Sequence, residues 1–256
     1  MMTEKTPILH VDNIKKAFGR MMAVNGVNFN LFPGEILGVI GPNGSGKTTL
    51  INCITGFVKK DAGKVIFKGK DISKLAIHEI ANRGLLRTFQ VMRPYYSLPA
   101  YKNLIIPLYS PRSRRFSEGR LGDRDTVAVN LLEDVGFERD SFVPYKLASS
   151  LPTGYLKRIE LARCLALRPE VLIGDEIFSG LSAAEISSLV PTIEKLQMQG
   201  ITLVMIEHRL RALFRLADRV LVMNFGEKIA EGTPQQIMEN KKVREAYLGS
   251  DKQSWD

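Results

Sequence analysis

The chain has 256 residues, 45% hydrophobic and 25% charged. Such a composition argues against intrinsic disorder and allows one large domain or a domain with a lobe inserted into it. A net charge of +9 (36 basic against 27 acidic residues) would suit a polyanion, yet the basic residues are scattered. Their densest group, Arg112, Arg114 and Arg115, reads as a solvated loop, so nucleic acid is not the expected partner.

In chain order, residues 24–31 alternate apolar and polar side chains as a half-buried strand does, and 35–40 lead into a glycine-rich loop. Residues 65–67 run into the turn Lys68-Gly69-Lys70, which predicts a hairpin. The β-branched runs 171–173, 201–206 and 219–224 are separated by helical stretches, the pattern of buried parallel strands with crossover helices. Ser182-Ala-Ala-Glu185 is a capping box, after which Ile186, Leu189, Val190, Ile193 and Leu196 share one helical face up to Gly200. Pro191 within this helix predicts a kink or a lost hydrogen bond, at roughly 3 kcal/mol unless compensated.

Between about residues 90 and 168 the character changes. Pro94, Pro99, Pro107 and Pro111 punctuate a loop-rich stretch, followed by helical patterns at 125–135, closed by Gly136, and at 156–167. This predicts a helical lobe at about 90–168 inserted into a nucleotide-binding core of about 1–89 and 169–256. Cys53 and Cys164 lie in apolar helical patterns without metal-like spacing and read as reduced core thiols. The apolar runs are too short to span a bilayer, and the first residues lack the pattern of a secretory leader, so a cytoplasmic location is expected.

Gly41-Pro-Asn-Gly-Ser-Gly46-Lys47-Thr48 matches the phosphate-loop pattern G-x-x-x-x-G-K-[ST] in full, with an apolar strand before it and a helical pattern after it. Glycines let the backbone curl so that successive N–H groups face phosphate oxygens, and the helix N-terminus adds positive potential. Gly41, Asn43, Gly44, Ser45, Gly46, Lys47, Thr48 and Thr49 are the expected nucleotide contacts. Lys47 is expected on the β- and γ-phosphates, and the Thr48 hydroxyl on Mg²⁺.

Such a loop needs an acidic partner on a neighbouring strand tip. Val171-Leu-Ile-Gly-Asp175-Glu176 provides one: Asp175 would hold the hydrated Mg²⁺, and Glu176 would orient and deprotonate the attacking water. A second apolar run ends in Glu207-His208, which puts His208 at a strand tip, where ligands collect in open α/β sheets. His10 and His78 read as structural hydrogen bonders.

These pieces in this order resemble the ABC ATPase family over about residues 8–249. The resemblance implies an α/β fold: a P-loop NTPase core with an antiparallel β subdomain and an inserted helical subdomain. It implies ATP as substrate with Mg²⁺, Phe18 stacking on adenine, Gln90 reaching Mg²⁺ and the γ-phosphate, and His208 as switch histidine. It further implies that Gln90, His208, Glu176 and Lys47 share the catalytic work, and that Ser179-Gly-Leu-Ser182 is the D-loop. The partners implied are transmembrane permease subunits, a second ATPase subunit (a like copy or a paralogue) and a periplasmic or extracellular substrate-binding protein. The implied place is the cytoplasmic face of the inner membrane, with the glutamine loop touching the permeases.

Gly84-Leu-Leu-Arg-Thr-Phe-Gln90, Ile206-Glu-His208, Ala230-Glu-Gly-Thr-Pro234 and Glu245-Ala-Tyr-Leu-Gly249 are most similar to the larger ATPase subunit of branched-chain amino-acid importers. The family signature LSGGQ stands here as Leu151-Pro152-Thr153-Gly154-Tyr155. Pro152 has neither hydroxyl nor N–H, which leaves Thr153 and the Gly154 N–H to hold a γ-phosphate across a dimer. Ile177, Ser182 and Arg209 also depart from the family pattern. Two other readings stand beside the transporter: a soluble ATPase of this family acting on nucleic acid or ribosomes, and a nucleotide-sensing subunit with little hydrolysis.

Overall fold

The computed structural model describes residues 6–88, 93–116 and 123–248. The chain opens with three strands, β1 (Leu9–Phe18), β2 (Met21–Leu31) and β3 (Ile36–Ile40), followed by helix α1 (Lys47–Ile54). Next come the hairpin β4 (Ala62–Phe67) and β5 (Lys70–Asp71), helix α2 (Ile77–Arg83) and strand β6 (Leu85–Arg87). A helical region then holds α3 (Ile105–Leu108), α4 (Pro111–Phe116), α5 (Arg124–Asp134) and α6 (Thr153–Leu165). The chain continues through β7 (Val171–Asp175), α7 (Ala183–Met198), β8 (Thr202–Ile206), α8 (Leu210–Leu216), β9 (Arg219–Asn224), β10 (Glu227–Gly232), α9 (Pro234–Glu239) and α10 (Lys241–Leu248).

Two sheets form. An antiparallel four-stranded sheet has the order β2-β1-β4-β5, and a six-stranded sheet the order β10-β9-β3-β8-β7-β6. In the larger sheet β9, β3, β8, β7 and β6 are mutually parallel, and β10 pairs antiparallel with β9 as a hairpin. Its central strands β3, β7 and β8 are buried at every position, which is why they read in sequence as unbroken apolar runs. One hydrophobic cluster fills the space between the two sheets and α1, where Leu9, Val27, Ile51 and Ile173 pack together. A second joins the other face of the parallel sheet to the helical region, through Leu104, Leu132, Ile159, Ile193 and Leu213.

The capping box is present: Ser182 Oγ accepts from the Glu185 N–H at 3.3 Å, and Glu185 Oε2 accepts from the Ser182 N–H at 2.8 Å. Helix α7 runs unbroken from Ala183 to Met198 with Pro191 inside it.

Two sequence expectations need correction. Residues 111–116 are a helix, and Arg112 is buried. Its guanidinium ties the end of α2 to the stretch before β7: it donates to Asn82 O (3.1 Å), Leu167 O (2.8 Å) and Arg168 O (2.6 Å), and pairs with Glu170 at 3.2 Å. Clustered arginines looked solvated because sequence does not show which carbonyls lie within reach. The second concerns the helix expected at 156–167, which starts at Thr153 with Pro152 as its N-cap. Thr153 and Gly154 therefore lie in its first turn.

Candidate functional site

The phosphate loop sits where β3 leaves the sheet. Gly46 caps α1 at φ 99°, and a Cβ there would meet Ala23 O at 2.2 Å, so only glycine allows the loop to pass this close to β2. Lys47 is buried, and its ammonium donates to Gly41 O (2.7 Å) and Pro42 O (3.0 Å) within its own loop. Burial lowers its pKa, while the nearby Glu176 and Asp175 charges oppose that shift. The ammonium is thus pre-placed against backbone carbonyls that an incoming phosphate would replace as its partner.

Beside the loop lies a cleft of about 410 Å³. It is lined by Asn43, Gly44, Ser45, Gly46, Lys47, Thr48 and Thr49, and by Phe18, Glu176 and His208 from three other elements. Glu176 follows the end of β7 and His208 follows β8, which are adjacent parallel strands. Their side chains meet, with His208 Nε2 at 3.3 Å from Glu176 Oε1. Glu176 lies at φ 53°, a left-handed backbone that costs a non-glycine residue about 1–2 kcal/mol. Its N–H is fixed to Ile206 O at 2.9 Å, which turns its side chain off the sheet edge into the cleft.

Asp175 is almost completely buried. Its Oδ2 pairs with Arg87 Nη2 at 2.5 Å, and its own N–H donates to Thr88 Oγ1 at 3.1 Å. Its Oδ1 finds no hydrogen-bond partner among the described residues and would accept from the water shell of a hydrated cation. No group of three or more His, Cys, Asp or Glu side chains gathers to hold a metal among the described residues. One free carboxylate oxygen beside a phosphate site suits Mg²⁺, which keeps several waters and shares substrate phosphates. The residues present fit that ion.

Of the sequence-predicted set, the cleft brings together Asn43, Gly44, Ser45, Gly46, Lys47, Thr48, Thr49, Phe18, Glu176 and His208, while Gly41 and Asp175 do not line it. Thr153 and Gly154 lie apart from this cleft, and the Gly154 backbone faces the Glu185 carboxylate. Gln90 lies outside the described residues.

The structure adds residues that no local motif announced. Phe225, Met21 and Met22 line the same cleft as exposed apolar side chains. The Gly226 N–H donates to Ser45 O at 3.0 Å, so the β9–β10 turn presents Phe225 over the loop. The Gly41 N–H faces the phenol of the buried Tyr247 of α10, whose burial pushes its pKa up. The C-terminal helix thus braces the first glycine of the phosphate loop.

The profile of the ABC transporter family matches residues 24–179, and that of the branched-chain amino acid ATP-binding cassette transporters matches residues 227–253. The chain is 36% identical over 253 residues to the high-affinity branched-chain amino acid transport ATP-binding protein BraF of Pseudomonas aeruginosa, covering 95% of this chain and 98% of that one. It is 36% identical over 257 residues to the corresponding LivG protein of Escherichia coli, covering 95% and 98%. Among solved structures, the ADP conformation of MJ1267, an ATP-binding cassette of an ABC transporter, superposes with a TM-score of 0.82 at 33% identity. That match covers 96% of this chain and all of the other. A phosphate loop, a strand-tip carboxylate pair and a facing histidine, on a fold shared along nearly the whole length, place this chain in the ABC transporter family as an ATP-binding ATPase subunit.

Proposed function

We propose that the chain hydrolyses ATP to drive an importer of branched-chain or other hydrophobic amino acids. It would work on the cytoplasmic face of the membrane, docked on permease subunits, and pair head to tail with a second ATPase subunit of the same or a paralogous kind. A substrate-binding protein outside the membrane would join through the complex. The observation that carries this reading is the convergence of Lys47, Glu176 and His208 in one cleft beside the phosphate loop. The match of the C-terminal segment 227–253 supports the substrate class.

In this reading ATP lies along the loop with its γ-phosphate toward Glu176, and Phe18 faces the base. Lys47 exchanges its loop carbonyls for the β- and γ-phosphate oxygens. Glu176 orients the attacking water and takes its proton, and His208, 3.3 Å from the carboxylate, holds that carboxylate in register. Thr48 and Asp175 Oδ1, with Gln90, are the groups that would hold Mg²⁺, which supplies charge neutralisation on the phosphates. Thr153 and Gly154 would face the nucleotide of the partner subunit. Among the described residues no helix is long and apolar enough to cross a membrane, so attachment would have to come from docking.

Glu176→Gln is the decisive variant. ATP binding should persist, hydrolysis should fall by about 10²–10⁴-fold, and an ATP-bound dimer should accumulate because contacts from both subunits are kept while cleavage is blocked. Near-normal turnover with Mg-ATP would remove Glu176 from this role. Leucine uptake by vesicles holding the chain with its permeases, compared with uptake of a polar amino acid, tests the substrate class.

A further inference from the structure

The peptide that follows Glu176 is held from two sides by side chains that do not line the cleft. Glu176 keeps a positive φ, a conformation that persists at a non-glycine residue only where its surroundings over-determine it. Its carbonyl accepts from the Ser179 N–H at 3.1 Å and from Lys157 Nζ at 3.1 Å. Just downstream, the Phe178 N–H donates to Glu207 Oε1 at 3.0 Å, and the Ile177 N–H faces the same carboxyl. Both side chains are buried, Lys157 at 6% exposure and Glu207 at 2%. Packing alone does not call for two ionisable groups out of water on one short turn, since each costs desolvation that only specific hydrogen bonds offset.

The elements supplying these two groups matter as much as the contacts. Glu207 directly follows β8 and precedes His208, which faces the Glu176 carboxylate. Lys157 stands on α6, one turn beyond Thr153 and Gly154. One short turn is therefore tied both to the end of the histidine strand and to the helix that begins at the signature.

We propose that Lys157 and Glu207 are positioning residues that clamp the turn after Glu176, and that Lys157 transmits movement of the signature end of α6 to the Glu176 carboxylate of the same chain. Glu207 fixes the turn to the sheet. Lys157 fixes it to α6, so a contact made at Thr153 and Gly154 is felt at this chain's own hydrolytic cleft. A shift of the carboxylate by about 1 Å is enough to cost on the order of 10²-fold in rate. The inference rests on the role proposed above for Glu176.

The test uses the full chain, with Mg-ATP turnover giving kcat and KM and a fluorescent ADP analogue giving nucleotide affinity. Lys157→Met should lower kcat by about 10–100-fold while leaving ADP affinity within about 3-fold, and Lys157→Arg should restore most of the rate. In a Glu176→Gln background Lys157→Met should bring no further loss, because it acts through the carboxylate already removed. Glu207→Gln, which keeps an acceptor for the Phe178 N–H, should lose less than about 3-fold, and Glu207→Leu should resemble Lys157→Met. If Lys157→Met does not fold, Lys157→Gln, a shorter donor, should show the same split between rate and affinity. Unchanged kcat in folded Lys157→Met, affinity lost in proportion to rate, or further loss in the Glu176→Gln background would each overturn the clamp. Normal turnover in Glu176→Gln alone would instead remove the reading beneath it, and the clamp with it.

Discussion

Asp175 illustrates how one side chain is divided between stability and chemistry. One carboxylate oxygen is paired with Arg87 in a nearly dry setting (8% and 2% side-chain exposure), and the other has no partner among the described residues. Arg87 also bonds Asn52 on α1, so it links the strand ahead of Gln90, the phosphate-loop helix and the buried acid. Arg87→Met leaves that charge unpaired and should destabilise the chain by about 3–5 kcal/mol in urea unfolding, and adding Asp175→Asn should recover part of the loss. A single variant within about 1 kcal/mol of wild type would show that the pair contributes little. Glu207 has a different consequence, because burial lifts its carboxyl to about 8. The Glu176 charge adds to the lift, while Lys157 and the N–H groups of Phe178 and Ile177 oppose it. The folded chain then keeps this proton up to about pH 8, whereas the unfolded chain releases it near the ordinary value of 4.5. Between those values the folded state binds more protons, so stability falls as pH rises, by up to about 1.4 kcal/mol per pH unit. Glu207→Gln replaces the titrating carboxyl with a neutral amide and should flatten the fall in urea midpoint between pH 5 and pH 8; an unchanged slope would assign it to other groups.

At the scale of elements, the junction of α6 and α7 holds Leu151-Pro152-Thr153-Gly154-Tyr155, which stands where the resemblance implies LSGGQ. Pro152 caps α6, a position where its missing N–H breaks no intrahelical bond, and its carbonyl accepts from Tyr155 (3.0 Å) and Leu156 (3.2 Å). The first free donors of the helix therefore belong to Thr153 and Gly154. Glu185, fixed by its own capping box on α7, holds its carboxylate against the Gly154 N–H, where an anion is favoured by the helix terminus. Hydrogen bonds from Ser182 and Gly154 keep that carboxyl below its ordinary pKa. A phosphate from a partner subunit would have to displace a like charge there. Glu185→Gln keeps the cap and removes the charge, so in a Glu176→Gln background it should strengthen ATP-driven dimerisation several-fold, as read by sedimentation. Equal or weaker dimerisation would mean that Glu185 does not compete for the signature. The capping box was legible in the sequence because all its parts lie within four residues. Its contact with Gly154 was not, since about thirty residues and a strand lie between them.

Across the whole molecule, the helical region presents an exposed apolar surface that suits a membrane partner. Tyr96 and Leu98 are exposed, and the Ala148 N–H bonds Leu98 O at 3.0 Å, which brings the exposed Leu147, Tyr145 and Phe142 beside them. Single cysteines at Tyr96 or Phe142 should crosslink to a co-expressed permease in an active complex. The two native thiols should not interfere, because both are buried and burial raises their pKa, Cys164 to about 12. Failure at both positions would reject this docking face. Sequence alone determined the phosphate loop, the carboxylate pair, the buried parallel strands and the capped helix α7, because each is a local pattern whose physics closes within a turn or a strand. The tertiary structure alone decided that Arg112 is buried, that Arg87 reaches Asp175, that Tyr247 braces Gly41 and that Lys157 and Glu207 clamp the turn after Glu176. Each of these joins groups brought together by strand order and helix packing. Which carbonyl or carboxylate lies within 3 Å of a long side chain depends on the packing of distant elements, and no periodicity along the chain encodes it.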